Sequence, residues 1–493
     1  MVQIPSRRTV LRGLAGTGAA VIGFDPFTRS WAAADATGAH GPLAHVPPLD
    51  GTLATDAPSL DAAADDYGHH VHHRPLAVLR PGSVADVVAM IRFCNTHGLP
   101  IAPRGQGHGT FGQAQVDGGL VIETSTLAGI GPVTRDRTVT VGAGVKWSAL
   151  AKATLAHGLT PPVFTDYLEL SVGGTLAVGG LGGQTHQHGA QVDNVTALQV
   201  VTGAGEPLTC SPTRHADLFE ATLAGLGQCS VIVGATLTLV PAPDTVRHYL
   251  LPYDDLETYL DDQRRLAEDR RFAYLEGQVT ADASGAFSTA VLEAAAYGPP
   301  AGPAPDDTAL LDGLRHTASG AQISDVTYGD FLDRLAPTVA ALKESGVWAY
   351  AHPWLNLLIP GDSVAATAGA VLADLTEADL GAGLVLLYPL TGARLTTPLL
   401  RTPDDPMPYL LALLRAVPAT DTAAVDRLLT ANRKAYDTVA AAGGTQYPVG
   451  SLPFTRADWR HHYGAAWPQL AAAKATYDPK ALLVPGRGIF QTV

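Results

Sequence analysis

The sequence predicts an α+β fold in which a middle domain is inserted between two parts of a first domain. Two features of the 493-residue chain indicate this division. Short apolar strands separated by turns dominate residues 74–243, whereas longer helical periodicities mixed with strands run through residues 244–440. Residues 441–493 contain helices and a turn-rich tail, and we expect them to complete the first domain.

The order of the elements follows from turn residues and apolar periodicity. A strand at residues 76–79 precedes a helix over residues 84–97, which Ser83 caps and Gly98 ends, and a strand at residues 99–102. Further strands are predicted at 119–124, 138–141, 195–203, 231–235 and 237–240, and a helix at 147–157. The rest of the chain predicts helices at 254–268, 323–345, 425–441 and 459–476, and strands at 273–280, 354–359 and 384–387.

Composition excludes several classes of protein. Hydrophobic residues make up 46% of the chain and charged residues only 16%, which is not the composition of a disordered protein. A net charge of −14 argues against a nucleic-acid partner and against docking on anionic membranes. The three cysteines, Cys94, Cys210 and Cys229, are too few for a disulfide framework, and we expect buried thiols or at most one pair.

The N-terminal segment, residues 1–34, resembles a twin-arginine signal peptide. Arg7 and Arg8 precede a small apolar run at residues 13–24, and small residues near position 34 offer a cleavage site. We therefore expect export of the folded protein to a secreted or periplasmic location. Residues 35–73 form a loose lead-in segment, whose histidines at 69, 70, 72 and 73 indicate either a solvated polar loop or a metal site.

The most informative motif is the loop at residues 103–113. Gly105, Gly107, Gly109 and Gly112 expose backbone N–H groups with little side-chain bulk, a pattern typical of a nest that receives a pyrophosphate. His108 lies in the middle, which suggests a dinucleotide cofactor that is covalently attached. The spacing also matches the Rossmann fingerprint, but the next strand begins only seven residues after Gly112 and leaves no room for the crossover helix.

The chain resembles the flavoproteins of the vanillyl-alcohol-oxidase (PCMH-type) FAD family, and within it the cytokinin dehydrogenases. Besides the glycine loop, the resemblance lies in residues 164–168 (FTDYL), 171–176 (SVGGTL), 352–356 (HPWLN), 388–390 (YPL) and 477–480 (YDPK). It implies a two-part PCMH-type FAD-binding domain (74–243 and 441–493) and a substrate-binding domain (244–440) built on an antiparallel sheet. It also implies a covalent bond from His108 to the flavin, single because residues 161–166 contain no cysteine.

The resemblance also assigns roles to individual residues. It makes Asp166 the group that accepts the substrate N–H and places Glu276 at the substrate entrance, although a turn aspartate and a surface glutamate are the alternatives from sequence alone. Trp354 and Asn356 share one side of a strand and are expected to line the cavity with Pro389. The expected FAD contacts are Gly105, Gln106, Gly107, His108, Gly109, Gln113, Asp166, Ser171, Ala177, Leu181, Val231, Trp354 and Arg487.

The implied activity is FAD-dependent oxidation of a secondary allylic amine, an N6-isoprenoid adenine, to an imine that water hydrolyses to adenine and an aldehyde. Two alternatives stay open: an oxidase of another alcohol, amine or sugar on the same scaffold, and a flavin-binding protein without turnover. The expected partners are a small-molecule substrate and oxygen or a quinone as electron acceptor. We expect a monomer without a metal, a nucleic-acid partner or a membrane partner.

Overall fold

The computed structural model describes residues 21–26, 28–33, 44–298 and 305–490. Most of the expected signal segment (1–34), including Arg7 and Arg8, lies outside these ranges. The elements up to residue 241 are β1 (Val21–Asp25), β2 (Ser30–Ala33), β3 (Ala44–His45), β4 (Thr52–Ala54), α1 (Ala57–Ala63), β5 (Ala77–Arg80), α2 (Val84–His97), β6 (Ile101–Arg104), β7 (Leu120–Glu123), β8 (Thr138–Gly142), α3 (Trp147–Leu155), β9 (Leu159–Thr160), α4 (Val172–Leu176), α5 (Thr185–His188), β10 (Val195–Thr202), β11 (Pro207–Cys210), α6 (Ala216–Thr222), β12 (Ser230–Thr238) and β13 (Val240–Pro241).

The remaining elements run from residue 245 to residue 477. They are β14 (Thr245–Tyr253), α7 (Leu256–Asp269), β15 (Tyr274–Ala281), β16 (Phe287–Gly298), α8 (Asp307–Leu311), β17 (Gln322–Thr327), α9 (Tyr328–Leu332), α10 (Ala336–Glu344), β18 (Leu355–Ile359), α11 (Val364–Ala373), α12 (Glu377–Leu380), β19 (Leu384–Pro389), β20 (Tyr409–Leu414), α13 (Thr422–Ala441), β21 (Thr445–Gln446), α14 (Arg456–Tyr463) and α15 (Trp467–Tyr477).

Two four-stranded sheets form the first part of the chain. One has the order β4-β5-β7-β6, with β5, β7 and β6 parallel, and the other is antiparallel in the order β11-β10-β12-β8. Helix α2 packs its apolar face on the first sheet, and Gly98 ends the helix in the left-handed conformation (φ 61°). The C-terminal tail returns to this sheet, where Ile101 hydrogen-bonds to Leu482 and Val484 through the backbone.

An eight-stranded antiparallel sheet dominates the middle of the chain, in the order β17-β14-β16-β15-β19-β20-β18-β21. Its central strands are buried on both faces, whereas the edge strand β17 is largely exposed. Leu275 and Leu387 belong to the core that includes helices α7, α11 and α13, whereas Tyr274 and Tyr388 point into the core shared with the first part of the chain. Because side chains alternate along a strand, Glu276 lies on the same face as Tyr274. The predicted α+β class and the antiparallel sheet are confirmed.

Several predicted elements are wrong in detail. Residues 323–327 belong to edge strand β17, which pairs with β14, so the single helix expected at 323–345 is instead a strand followed by α9 and α10. The helix expected at 459–476 is interrupted at Gly464, whose φ is +47°, and becomes α14 and α15. The two strands expected at 231–240 form the continuous β12, followed by the short β13.

The lead-in segment is not loose from residue 52 onward. Strand β4 pairs with β5, and helix α1 begins at Ala57, with the Asp56 side chain accepting the Ser59 N–H. The sequence does not reveal this strand and helix, because alanine, aspartate, glycine and proline dominate the segment. Tertiary contacts rather than local periodicity order such a stretch.

Candidate active site

The glycine loop follows β6 and has the tight geometry that its composition predicts. Gly107 and Gly112 have φ values of 65° and 70°, which L-residues rarely adopt. A Cβ on Gly105 would lie 2.1 Å from the Ser171 Oγ, and one on Gly109 would lie 2.6 Å from the Gln113 Oε1. Larger residues would therefore fill the cradle that the loop forms.

Residues 66–68, which the sequence did not single out, hold this loop in place. The buried Asp66 carboxylate accepts the Gly112 N–H at 2.7 Å and the Gly68 N–H at 2.9 Å, and the Tyr67 N–H donates to the Gly107 carbonyl. Burial raises the pKa of Asp66 to about 6, against the lowering effect of these hydrogen bonds. An aspartate directly before an aromatic residue is a weak sequence signal, so only the fold reveals this role.

His108 lies within a cluster of aromatic rings. Its imidazole is 4.1 Å from the Tyr67 ring centroid at an interplanar angle of 21°, and 5.0 Å from that of Tyr167. The other face of Tyr67 stacks on His352 at 4.0 Å. Burial, together with the charges of His352 and Lys343, lowers the pKa of His108 to about 3. The imidazole is therefore neutral at physiological pH, with a lone pair on one ring nitrogen.

A cavity of about 270 Å³ opens beside the loop and His108. Most of the residues predicted to contact the cofactor line it, namely Gly105, Gln106, Gly107, His108, Gly109, Gln113, Ser171, Ala177, Leu181, Trp354 and Arg487. Val231 does not, since its side chain is buried in the core around α2. Asp166, also predicted to contact the cofactor, is outside the lining as well, although the preceding residue, Thr165, belongs to it.

Buried donors without a partner occur in the lining of this cavity, on Trp354 and Arg487, and outside the lining on Asn356. The Trp354 Nε1, the Asn356 Nδ2 and the Arg487 Nε are buried and lack a hydrogen-bond partner in the part of the chain described. Buried polar groups are rarely left unpaired, so such atoms need an acceptor from outside the chain. Carbonyl oxygens, ring nitrogens and phosphates of a flavin dinucleotide are acceptors of this kind. The donors, together with the cradle at Gly105 and Gly109, fit FAD.

Asp166 and Glu276 come together from distant parts of the chain. Asp166 follows β9 in a loop, with its side chain 25% exposed, whereas Glu276 lies on β15 and is 2% exposed. The two carboxyl groups interact electrostatically, but the buried Glu276 Oε1 has no hydrogen-bond partner among the described residues. Burial and the neighbouring charge of Asp166 raise the pKa of Glu276 well above its ordinary value. Burial therefore favours the protonated form of Glu276.

Arg334 completes this cluster and was missed from the sequence. It lies in the turn between α9 and α10, and its Nη2 donates to the Asp166 Oδ1 at 2.7 Å. The Tyr274 hydroxyl donates to the same oxygen at 2.9 Å. The sequence shows only that Arg334 falls within the predicted helix at 323–345, three residues after Phe331. It does not reveal that Asp166 is the partner.

Glycines allow β15 to approach the loop that carries Asp166. A Cβ on Gly183 would lie 2.3 Å from the Tyr274 ring, and one on Gly182 would lie 1.9 Å from the Phe164 carbonyl oxygen. The Leu275 N–H donates to the Gly183 carbonyl at 2.9 Å. The second glycine-rich region of the sequence thus brings Tyr274 and Glu276 up to Asp166.

The other predicted residues take varied positions. Trp354 precedes β18, and Asn356, 6% exposed, lies on it. Pro389 ends β19 opposite Tyr409, outside the set of residues that line the cavity. His69 pairs with Asp65 at 2.7 Å and His70 contacts Ser451 at 3.1 Å, and no cluster able to hold a metal occurs within the described ranges.

The three cysteines are buried and free, which confirms the expectation of buried thiols. Among the helices that the structure describes, none is long and apolar enough to cross a membrane.

Comparison with known proteins identifies the two parts of the chain separately. Residues 75–211 match the model of an FAD binding domain, and residues 305–490 match the model described as "Cytokinin dehydrogenase 1, FAD and cytokinin binding". An uncharacterized oxidoreductase of the fasciation locus (ORF5) of Rhodococcoides fascians is 40% identical, and the alignment covers 89% of this chain and 99% of that protein. Cytokinin dehydrogenase 10 of Oryza sativa subsp. japonica is 36% identical, with 89% and 88% covered.

The fold also has a counterpart among solved structures. The 6-hydroxy-D-nicotine oxidase of Arthrobacter nicotinovorans superposes with a TM-score of 0.68 at 22% identity, covering 88% of this chain and 96% of that one. At this identity the likeness concerns the fold alone.

Proposed function

The chain belongs to the cytokinin dehydrogenase family of FAD-dependent oxidoreductases, and from this we propose that it oxidises the secondary allylic amine of an N6-isoprenoid adenine. The observation that carries the proposal is the interacting carboxyl pair of Asp166 and Glu276, where Asp166 directly follows Thr165 of the cavity lining. One member is buried and protonated, and the other is partly exposed and free to accept a proton. Such a division of roles between two carboxyl groups suits proton transfer from a substrate N–H.

In the proposed reaction, FAD supplies the hydride acceptor. Asp166 accepts a hydrogen bond from the substrate N–H and takes its proton as the adjacent carbon loses hydride. Glu276 keeps its own proton and donates it toward Asp166, which limits charge repulsion inside the site. The substrate thereby loses two electrons and two hydrogens and becomes an imine. Water then adds to the imine carbon and releases adenine and an unsaturated aldehyde.

The cavity walls orient the substrate in this scheme. The unpartnered N–H groups of Trp354 and Asn356 lie on the strand side of the site and can bind acceptor atoms of the cofactor or the purine. Apolar residues such as Leu170, Val178 and Leu181 line the same cavity and suit a planar, largely apolar ligand. We also propose that Pro389, at the end of β19, contacts the substrate.

We also propose a single covalent link between His108 and the flavin 8α carbon. The neutral imidazole has the lone pair that such a bond requires. The new C–N bond would replace one C–H bond of the flavin 8α methyl group and the N–H bond of the imidazole. The two protons would pass to solvent, and oxygen or a quinone, the proposed electron acceptor, would take up the two electrons.

The remaining expectations complete the proposal. We assign residues 74–243 and 441–493 to the FAD-binding domain and residues 244–440 to the substrate domain, which the return of the tail to Ile101 supports. Arg7 and Arg8 support export by the twin-arginine pathway after the cofactor has been bound. We propose that the enzyme acts as a monomer.

Product analysis tests the proposed substrate. The purified enzyme is incubated with isopentenyladenine and a quinone acceptor, and adenine and the unsaturated aldehyde are quantified by mass spectrometry. We expect the two products in equal amounts. Turnover of alcohols or sugars, without release of adenine, would assign the scaffold to another oxidase, and no turnover with any donor would indicate a flavin-binding protein.

A further inference from the structure

Arg334 joins two carboxylates that belong to different parts of the chain. Its Nη2 donates to the Asp166 Oδ1 at 2.7 Å, and its Nε donates to the Glu293 Oε1 at 2.8 Å. We infer that Arg334 is a positioning residue that fixes the Asp166 carboxylate and balances its negative charge. This inference rests on the proposed role of Asp166 as acceptor of the substrate proton.

The guanidinium group has little freedom to move. Its carbon lies 4.7 Å from the ring centroids of both Tyr274 and Phe331, and the side chain is 16% exposed. Arg334 also donates to the Tyr274 hydroxyl, which itself donates to the Asp166 Oδ1. Both donors to Asp166 therefore converge on Oδ1. Oδ2 accepts from neither of them and keeps its lone pairs for a substrate N–H.

Glu293 anchors the guanidinium from the other side. Its Oε1 also accepts a hydrogen bond from the His248 Nε2 at 2.9 Å. Burial acts to raise the pKa of Glu293, but the hydrogen bonds to His248 and Arg334 and their charges outweigh it, and the pKa is lowered. Glu293 is therefore ionised at neutral pH and holds Arg334 by a charge-assisted bond.

Sheet register explains why the arginine is needed. Glu276 on β15 pairs directly with Glu293 on β16, so two glutamates face each other across neighbouring strands, and Asp166 lies against the same face. Like charges in that position repel. Arg334 is the cation that contacts two of these three acids, and protonation of Glu276 removes the third negative charge.

The charge balance predicts what happens without the guanidinium. The titratable and charged groups around Asp166 are Tyr274 and Glu276 from β15, Glu293 and Tyr297 from β16, Tyr388 from β19, and Arg334 itself. An opposite charge at this distance typically lowers a carboxyl pKa by about one to three units, so removing it raises the pKa by a similar amount. We therefore expect the acid limb of the pH–rate profile to move to higher pH when the guanidinium is removed.

The test compares Arg334→Met and Arg334→Lys with Arg247→Met. Arg247, on β14 of the same sheet, is a matched control because it also bridges two aspartates outside the cluster, Asp307 of α8 and Asp325 of β17. With isopentenyladenine, we expect Arg334→Met to lower the rate of flavin reduction about 100-fold at neutral pH, within the usual range for a lost proton acceptor. The rate of flavin reduction in Arg334→Met should recover at higher pH, because the acid limb of its pH–rate profile should move up by about one to three pH units. The rate and the acid limb of Arg334→Lys should lie between those of the wild type and Arg334→Met. Arg247→Met should keep the wild-type pH–rate profile.

A second readout does not depend on turnover. Infrared difference spectra resolve protonated carboxyl groups, and subtraction of the Glu276→Gln spectrum identifies the Glu276 signal. At neutral pH we expect that signal in the wild type and an additional protonated carboxyl in Arg334→Met. An unshifted acid limb, or an Arg334→Met spectrum without the additional signal, would overturn the inference. If the wild type oxidises no secondary amine, the proposed function fails, whereas the infrared comparison still decides the role of Arg334.

Discussion

The imidazole of His108 stacks on the phenol ring of Tyr67, with centroids 4.1 Å apart and planes 21° apart. Tyr67 in turn lies against His352, so one tyrosine from the segment before the FAD-binding domain separates two histidines. This packing excludes water from His108 and lowers its pKa to about 3. The same contact therefore fixes the direction of the ring and keeps it neutral, the two conditions for a bond to the cofactor.

The first prediction concerns this attachment. His108→Ala should release its flavin on acid denaturation, whereas the wild-type protein should stay yellow and gain the mass of one FAD. The control His461→Ala, at an exposed helical position, should behave as the wild type. If flavin washes out of the denatured wild-type protein, the covalent link does not exist.

The second prediction concerns the protonated Glu276. Because its pKa is raised in the folded state, the folded protein binds a proton that the unfolded chain has released above about pH 4.3. Stability should therefore fall as the pH rises beyond that value, by up to about 1.4 kcal/mol per pH unit until Glu276 ionises.

Glu276→Gln should remove this component. The neutral amide keeps a donor toward Asp166, so the variant should gain stability relative to the wild type as the pH rises. Thermal unfolding from pH 5 to pH 8 measures the difference. Parallel curves for the two proteins would mean that Glu276 is ionised in the folded state.

The third prediction concerns the close approach at Gly183. Gly183→Ala places a Cβ against the Tyr274 ring and should move that side chain away from Asp166. We expect a loss of about 1–3 kcal/mol in stability together with slower flavin reduction. Gly369→Ala is the control, because a Cβ there meets no atom within 4 Å, and alanine should stabilise helix α11 slightly. Unchanged flavin reduction in Gly183→Ala would argue against a need for this packing.

The cofactor loop, Asp166 and Glu276 could be named as candidate site residues from the sequence because each lies in a short motif. The glycine loop from Gly105 to Gly109 is a continuous motif. Asp166 and Glu276 each lie in a short string of residues that resembles the family. Tyr67 and Arg334 could not be predicted, since their partners lie 41 and 168 residues away, as the stacking of Tyr67 on His108 and the bond from Arg334 to Asp166 require.

The error at residues 323–345 has the same origin. Edge strand β17 is fixed by pairing with β14 rather than by a periodicity of its own, and its side chains are largely exposed. The sequence therefore resembled the start of the helices that follow. That error also concealed the turn between α9 and α10, where Arg334 lies.

The most direct test of the account follows the flavin spectrum under anaerobic conditions after addition of isopentenyladenine. The flavin of the wild-type enzyme should bleach within the turnover time. The flavin of Asp166→Asn should be bound normally but bleach about 10²- to 10⁴-fold more slowly. Bleaching of the wild type only by alcohols or sugars, or equal rates in the wild type and Asp166→Asn, would contradict the role proposed for Asp166.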